Sequence, residues 1–483
     1  MFAWATFGLA GSVLLTLAGT RLSDRRIQWW FHPDLGSSET QHALLYVGVV
    51  GLVVAWLGLG RFARVDRARP VWISAVGFLW CLPLLLGAPL FSHDIYSYLA
   101  QATLAHVGVN PYHYAPVELG RIGQQHVLQG VDPFWSRQTA PYGPLFLGVA
   151  SLLAGLTGSH LVAGAVLIRL FDLIGLVLLA AFVPRLARRV GGDPARAVWL
   201  AVASPLILLQ LVSPGHNDLL MAGLMVVGVT FALERQPLLG IVVCALAATV
   251  KLPALAAVVF IAVAWIRAQE NSRERIVVAA EAAAAAVATA AAVTLITGFG
   301  VGWISSSLFS TPARVHLAIT PATGISVTLA NLLNDAGATV RFTDVEPVLR
   351  GIIFAVLAIV VLAMLTRTRW PTLVPCLGLT LAAFAIAGPA LWPWYLAWGL
   401  VLLATWVPAQ RSRVLVAAVV AGSFVVQPDG ILLLSRGSSP EVVVVWLAIA
   451  AAAWVTWRRR LRVGRTTHLP EALGGAGSVL AQR

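Results

Sequence analysis

Charge is scarce in this sequence: Asp, Glu, Lys and Arg make up 11% of its 483 residues, against about 25% in soluble domains. With 59% hydrophobic residues, that deficit excludes a water-soluble chain and points to a polytopic membrane protein. Strict apolar/polar alternation is also missing, which excludes an outer-membrane barrel. The apolar runs instead approach the ~20 residues a crossing helix needs, so the expected fold class is all-α. Cysteine is nearly absent. Cys81, Cys244 and Cys376 lie inside apolar runs without CxxC or metal-ligand spacing and read as small core residues. No basic stretch precedes the apolar residues 1–19, which read as a first membrane helix and not as a cleaved signal. No nucleotide-binding motif occurs. No extramembrane segment is long enough for a separate soluble domain, so residues 1–466 read as one transmembrane unit and 467–483 as a short tail.

What charge there is carries information. The net +13 comes from arginines in short clusters between apolar runs, which fits anionic lipid headgroups and gives no reason to expect nucleic acid. Short arginine-rich loops stay in the cytoplasm. They are RFARVDRARP (61–70), PRLARRVGGDPAR (184–196), RAQENSRER (267–275), RTR (367–369), RSR (411–413) and RRRLRVGR (458–465). Holding all of them inside gives about 14 crossings, within a range of roughly 12 to 15. The same parity turns two short runs, 145–156 and 325–333, into in-plane elements on the outer side. It places the long stretch 91–142, with the strings FSHDIYSYLAQATLAHVGVNPYHY and DPFWSRQTAPYGP, outside. The expected location is the cytoplasmic membrane, multi-pass, with any chemistry at its outer surface.

The outward face collects the polar candidates. Asp94, beside His93 at the mouth of a span, reads either as a helix cap or as a general base whose pKa the bilayer edge raises. The PGHND turn brings His216, Asn217 and Asp218 together, as a turn and cap or as ligands for substrate hydroxyls. Lys251, the only lysine, interrupts the apolar string LLGIVVCALAATVKLPALAAVVF beside Pro253. It reads as a snorkelling side chain or as a phosphate ligand. Arg314 and His316 are candidates for clamping a phosphate, or simply part of a solvated loop. Arg169 and Asp172, spaced i,i+3, are expected to pair with one another. Aromatic residues including Tyr96, Tyr98, Tyr142, Trp392, Trp394 and Tyr395 belong to an interfacial belt, from which a few stack on a sugar. With no DxD pair in the outward loops, no metal is expected.

Several strings together resemble a known family. HDIYSYLAQATLAHVGVNPY, PYGPLF, SPGHNDLLMAGLMVVG, VKLPA and WPWYLAW are similar to the actinobacterial polyprenol-phosphate-mannose-dependent α-1,6-mannosyltransferases of lipomannan and lipoarabinomannan synthesis, within the GT-C glycosyltransferases. The likeness covers about residues 43–457, and the first two spans read as an N-terminal addition to the GT-C core. The resemblance implies a GT-C fold, a polyprenyl-phosphate-mannose donor, a mannan or phosphatidylinositol mannoside acceptor, and Asp94 as the single catalytic base of an inverting transfer. It implies no cofactor. Two other readings stand beside it: a GT-C enzyme moving arabinose or glucose, and a lipid-linked sugar transporter or flippase. A transporter would show inverted internal repeats, and none is visible.

Overall fold

The computed structural model describes residues 1–431 apart from 24–25, 32, 64–68, 159, 308–319 and 409–410. Arg314, His316, the span expected near 441–457, the basic cluster 458–465 and the tail 467–483 lie outside the described residues.

Apolar runs become helices because a helix satisfies every backbone group internally, which lipid demands. α1 (Phe2–Gly19) pairs with α2 (Ser38–Ala63), and α3 (Pro70–Leu86) joins them through the Trp80 indole, which donates to the Ala5 carbonyl at 2.9 Å. The chain then enters α4 (Asp94–His106), three 3₁₀ turns, α5 (Pro144–Thr157) and the long α6 (Leu161–Arg189). α7 (Pro194–Ala201) and the single turn α8 (Pro205–Ile207) run into a π-helical turn at Leu208–Val212. After it come α9 (Asp218–Leu233), α10 (Pro237–Ala248), α11 (Leu255–Ile266), α12 (Ser272–Thr297) and the short α13 (Gly302–Ser305). The described chain ends with α14 (Pro321–Asp335), α15 (Phe342–Arg367), α16 (Leu373–Ala387), α17 (Leu396–Trp406) and α18 (Ser412–Phe424).

Starts are marked in the sequence. Proline opens α3, α5, α7, α10 and α14, where its missing N–H costs nothing. The side chains of Asp193, Asn271 and Thr320 cap α7, α12 and α14.

Among the described residues seven helical segments are long and apolar enough to cross a bilayer: α1, α2, α6, Pro194–Val212, α12, α15 and Trp370–Ala387. The protein is thus all-helical and polytopic. Several expected spans are shorter than drawn from the sequence. The one near 71–90 ends at Leu86, and the two expected on either side of Lys251, near 238–250 and 252–267, form as α10 and α11 of 12 residues each. Between them Lys251 is extended at the N-cap of a 3₁₀ turn, Leu252–Ala254, that contains Pro253.

Two expectations need correction. The stretch 91–142 is not a solvent-facing loop throughout, because every residue from Ile95 to Thr103 on α4 is buried, Tyr96 and Tyr98 completely. Arg169 and Asp172 do not pair. The Arg169 Nη1 donates instead to the Leu84, Leu85 and Gly87 carbonyls at 3.4, 3.1 and 2.7 Å, and its guanidinium lies 5.1 Å from the Trp29 ring. The carbonyls at the end of α3 have no intrahelical partner, and the Arg169 guanidinium satisfies them. Both Asp172 oxygens are buried without a hydrogen-bond partner among the described residues.

α6 and α9 run side by side and in the same direction. Phe182 meets Phe231 edge-on at 5.7 Å, and Arg185 and Arg189 hold Glu234 at the far end, the former at 2.6 Å through Nε. With 16 residues in α9, that basic end lies about 24 Å from Asp218 along the axis. The Arg185 and Arg189 cluster and the Asp218 turn therefore occupy opposite ends of α6 and α9.

Candidate active site

The centre of the polar end is the turn between the π-helical segment and α9. Gly215 has a φ of 72°, and a Cβ there would meet the Arg169 Cγ and Ile95, so glycine serves both the left-handed backbone and the close approach. The turn presents His216, Asn217 and Asp218, none of them exposed at all.

His216 joins two acceptors. Its Nδ1 lies 2.5 Å from the Gln210 carbonyl, in the π-helical turn, and its Nε2 lies 3.5 Å from Asp94 Oδ2. A carbonyl only accepts, so Nδ1 carries the hydrogen that fixes the ring, and Nε2 is the ring atom turned toward the carboxylate. π-turns rearrange backbone carbonyls in this way and recur at functional sites. The Trp394 ring covers the imidazole at 4.1 Å and stacks on Trp392 at 4.7 Å.

Asp94 opens α4. The Ser92 hydroxyl accepts the Asp94 backbone N–H at 3.1 Å, so the local turn is made by Ser92, and the Asp94 carboxylate is left to face His216. The expectation that its pKa is raised is overturned. Burial does push it up, but the His216 hydrogen bond and charge, the Lys251 charge and the Ser92 hydroxyl together hold it below the ordinary carboxylate value. His93 stands beside it, 6.2 Å from the Tyr96 ring.

Lys251 does not snorkel. Its Nζ lies 2.7 Å from Asp218 Oδ2, and the other Asp218 oxygen accepts the Trp398 indole N–H at 2.6 Å. Three rings surround the ammonium: Tyr395 at 4.9 Å, Tyr142 at 5.9 Å and Trp398 at 5.9 Å. Burial, with Asp94 and Asp218 nearby, keeps the Tyr142 and Tyr395 phenols well above their ordinary pKa, so both remain neutral.

The string PYGPLF explains itself here. Gly143 N–H donates to the Val250 carbonyl at 2.9 Å, and Leu145 N–H donates to that of Thr249 at 3.0 Å. A Cβ on Gly143 would fall 2.0 Å from the Thr249 oxygen. Only glycine lets this strand-like contact form, and it sets Tyr142 next to Lys251.

Of the sequence candidates, the structure brings together Asp94, His216, Asp218, Lys251, Tyr142, Trp392, Trp394 and Tyr395, with Asn217 in the same turn. Asn217 sits at the N-cap of α9, yet its amide caps nothing and has no partner among the described residues. Tyr96 is structural: its hydroxyl accepts the Trp29 indole N–H at 3.0 Å. Tyr98 packs edge-on against Tyr142 and Phe146 at 4.7 and 5.1 Å. Sequence reasoning missed Gln210 as a member of the site, and read Trp398 as one of the outward-face aromatics without giving it a role. Trp398 carried a signal, since it follows Tyr395 by three residues and so shares its helix face. Gln210 acts through its carbonyl, which no side-chain pattern reveals. No group of three or more His, Cys, Asp or Glu suited to a metal occurs among the described residues.

A partly buried carboxylate beside a buried imidazole, a buried ion pair and an aromatic wall, all in an apolar helical bundle, define a candidate site for a polar substrate. Comparison with known proteins sharpens that. Residues 5–267 match the family described as alpha-(1->6)-mannopyranosyltransferase, N-terminal domain, and residues 313–461 match the MptB C-terminal domain. The chain is 33% identical to alpha-(1->6)-mannopyranosyltransferase A of Mycobacterium tuberculosis, over 93% of this chain and 89% of that one. It is 29% identical to alpha-(1->6)-mannopyranosyltransferase B of Corynebacterium glutamicum, over 82% and 70% respectively. No solved structure matches. The chain belongs to the alpha-(1->6)-mannopyranosyltransferase family and is a hexosyltransferase. The transporter reading falls with this. Both matched stretches build the site, since Trp394 and Trp398 from the second meet His216 and Asp218 from the first.

Proposed function

We propose that this protein transfers mannose from polyprenyl-phosphate-mannose to an α-1,6-mannan acceptor at the outer face of the cytoplasmic membrane, with inversion and with Asp94 as the base. The observation that carries this reading is the Asp94–His216 contact beside the Asp218–Lys251 ion pair, His216 and Asp218 being on one turn. Inversion needs one base only, and of the carboxylates not committed to a cation or indole, Asp94 is partly exposed at 19% whereas Asp172 is buried. The acceptor hydroxyl attacks the anomeric carbon, the bond to the donor phosphate breaks, and Asp94 takes the hydroxyl proton. His216, its Nδ1 held by the Gln210 carbonyl, keeps its ring beside the carboxylate and shapes the space around it. Lys251 is the proposed partner of the departing phosphate, aided by Arg314 and His316.

Asn217, Tyr142, Trp392 and Tyr395 are proposed to hold sugar hydroxyls and ring faces, with His93 at the edge, and Asp218 to hold Lys251 in place. A GT-C arrangement with about 14 crossings, the whole acting as one catalytic unit, belongs to the same proposal. So does placing the polar end outside, since the arginines of the 184–196 cluster that hold Glu234 lie at the other end.

The test is direct. Purified protein given labelled polyprenyl-phosphate-mannose and a short α-1,6-mannoside is expected to yield a product one α-1,6-linked mannose longer. A product carrying arabinose or glucose only from the corresponding donors would replace this reading with the neighbouring sugar specificity.

A pH profile tests the base. With its pKa held down, Asp94 stays ionised until the pH falls below the ordinary carboxylate value of about 3.9, so the acid limb of kcat/KM should lie below that. His216→Asn removes the largest of the influences that lower it, and the limb should move to higher pH. An unmoved limb would detach His216 from Asp94.

A further inference from the structure

A groove of about 520 Å³ opens on the polar end, lined by Arg26, Gln28, Trp30, His126, Gln129 and His160 among others. Its size falls within the ~300–1,000 Å³ of small-ligand clefts. It is separate from the Asp94 site and touches it through one wall. Ile27, in the groove lining, packs toward Gly130 and Tyr96, and the neighbouring Trp29 donates to the Tyr96 hydroxyl two residues beyond Asp94. Along α6 the groove is bounded by Leu161–Ala163, six residues before Arg169, which packs on Gly215. It therefore lies about 9 Å further from the basic end than the His216 turn.

The lining chemistry is distinctive. Trp30, 56% exposed, offers a rigid flat face, while Gln28, Gln129, His126 and His160 offer planar donors and acceptors. The buried Nε2 of His126 has no partner among the described residues. No carboxylate lines the groove. An apolar plate beside planar hydrogen-bonding side chains, with the Arg26 guanidinium as a further donor, complements a pyranose, whose ring faces are apolar and whose rim is hydroxyl.

We infer that this groove is a second carbohydrate site that holds the distal mannose units of the acceptor chain while its terminal hydroxyl lies at Asp94. The inference rests on the proposed function, because it needs a polymeric acceptor. A chain that grows by one unit per cycle must extend past the reacting end, and a groove further out on the same face is where that extension goes. Binding energy from remote units then orients the reacting one.

The experiment compares kcat/KM for an α-1,6-linked mannose disaccharide and hexasaccharide, using full-length protein in phosphatidylcholine nanodiscs. Wild type should prefer the longer acceptor, and Trp30→Ala should lower the long-to-short ratio about tenfold, the loss of one well-stacked ring contact. Gln129→Ala should shift the ratio in the same direction; Trp30 and Gln129 are both exposed, so neither change opens the core. A ratio that neither variant moves overturns the groove assignment while leaving mannose transfer intact. A loss seen only in nanodiscs containing phosphatidylinositol overturns it in favour of a lipid headgroup. If wild type elongates neither acceptor, the proposed function itself has failed.

Discussion

Asp94→Asn is expected to reduce mannosyl transfer about 10²–10⁴-fold in membranes that hold the normal amount of inserted protein. An amide has nearly the shape of the carboxylate and keeps a contact with His216, but it cannot take a proton from the acceptor. The packing of α4 depends on Ile95, Tyr96, Tyr98 and Leu99, all buried, and the helix start depends on Ser92, so the fold does not hang on the carboxylate. Transfer of labelled mannose, normalised to protein detected in the membrane, reads the effect. Activity within a few-fold of wild type would remove Asp94 from the mechanism.

The second large effect concerns the buried ion pair. Asp218→Ala strands the Lys251 ammonium in a site where Asp218 is its anionic partner at 2.7 Å and the Trp398 indole loses its acceptor. Breaking such a pair from one side costs about 3–5 kcal/mol, whereas replacing both partners by apolar groups of similar volume is often neutral. Asp218→Ala should therefore lower the detergent-solubilised melting temperature sharply, and the double change Asp218→Leu with Lys251→Met should recover much of it. Transfer should remain lost in the double variant, because no cation is left to meet the donor phosphate. A double variant that is both stable and active would make Lys251 structural alone. A single variant as stable as wild type would mean that water, not Asp218, compensates the charge.

Much of this was legible beforehand. Apolar runs, proline at helix starts and the arginine clusters follow from composition and spacing, because lipid imposes one rule on every crossing segment. Asp94, the PGHND turn and Lys251 stood out for the same reason: charge in an apolar chain is costly and rarely accidental. What such signals do not carry is partnership. Lys251 read equally as a snorkelling residue or a phosphate ligand, and the structure shows it paired to Asp218, 33 residues away, inside an aromatic ring of side chains. Arg169 had a plausible carboxylate three residues along its own helix and chose carbonyls more than eighty residues distant. The sign of the Asp94 shift went the same way, since burial was readable but the imidazole that outweighs it arrives from another part of the chain.

By itself the sequence determined that this is a helical membrane protein whose chemistry sits among a few rare polar residues, because hydrophobicity and charge scarcity are properties each segment carries alone. Only the tertiary structure decided which of those residues meet: α4 beside the α9 turn, Gly143 against Thr249, Trp398 on Asp218. Contacts a few ångströms long between residues far apart in the chain depend on how helices pack, and packing is fixed by the shapes of all the side chains together.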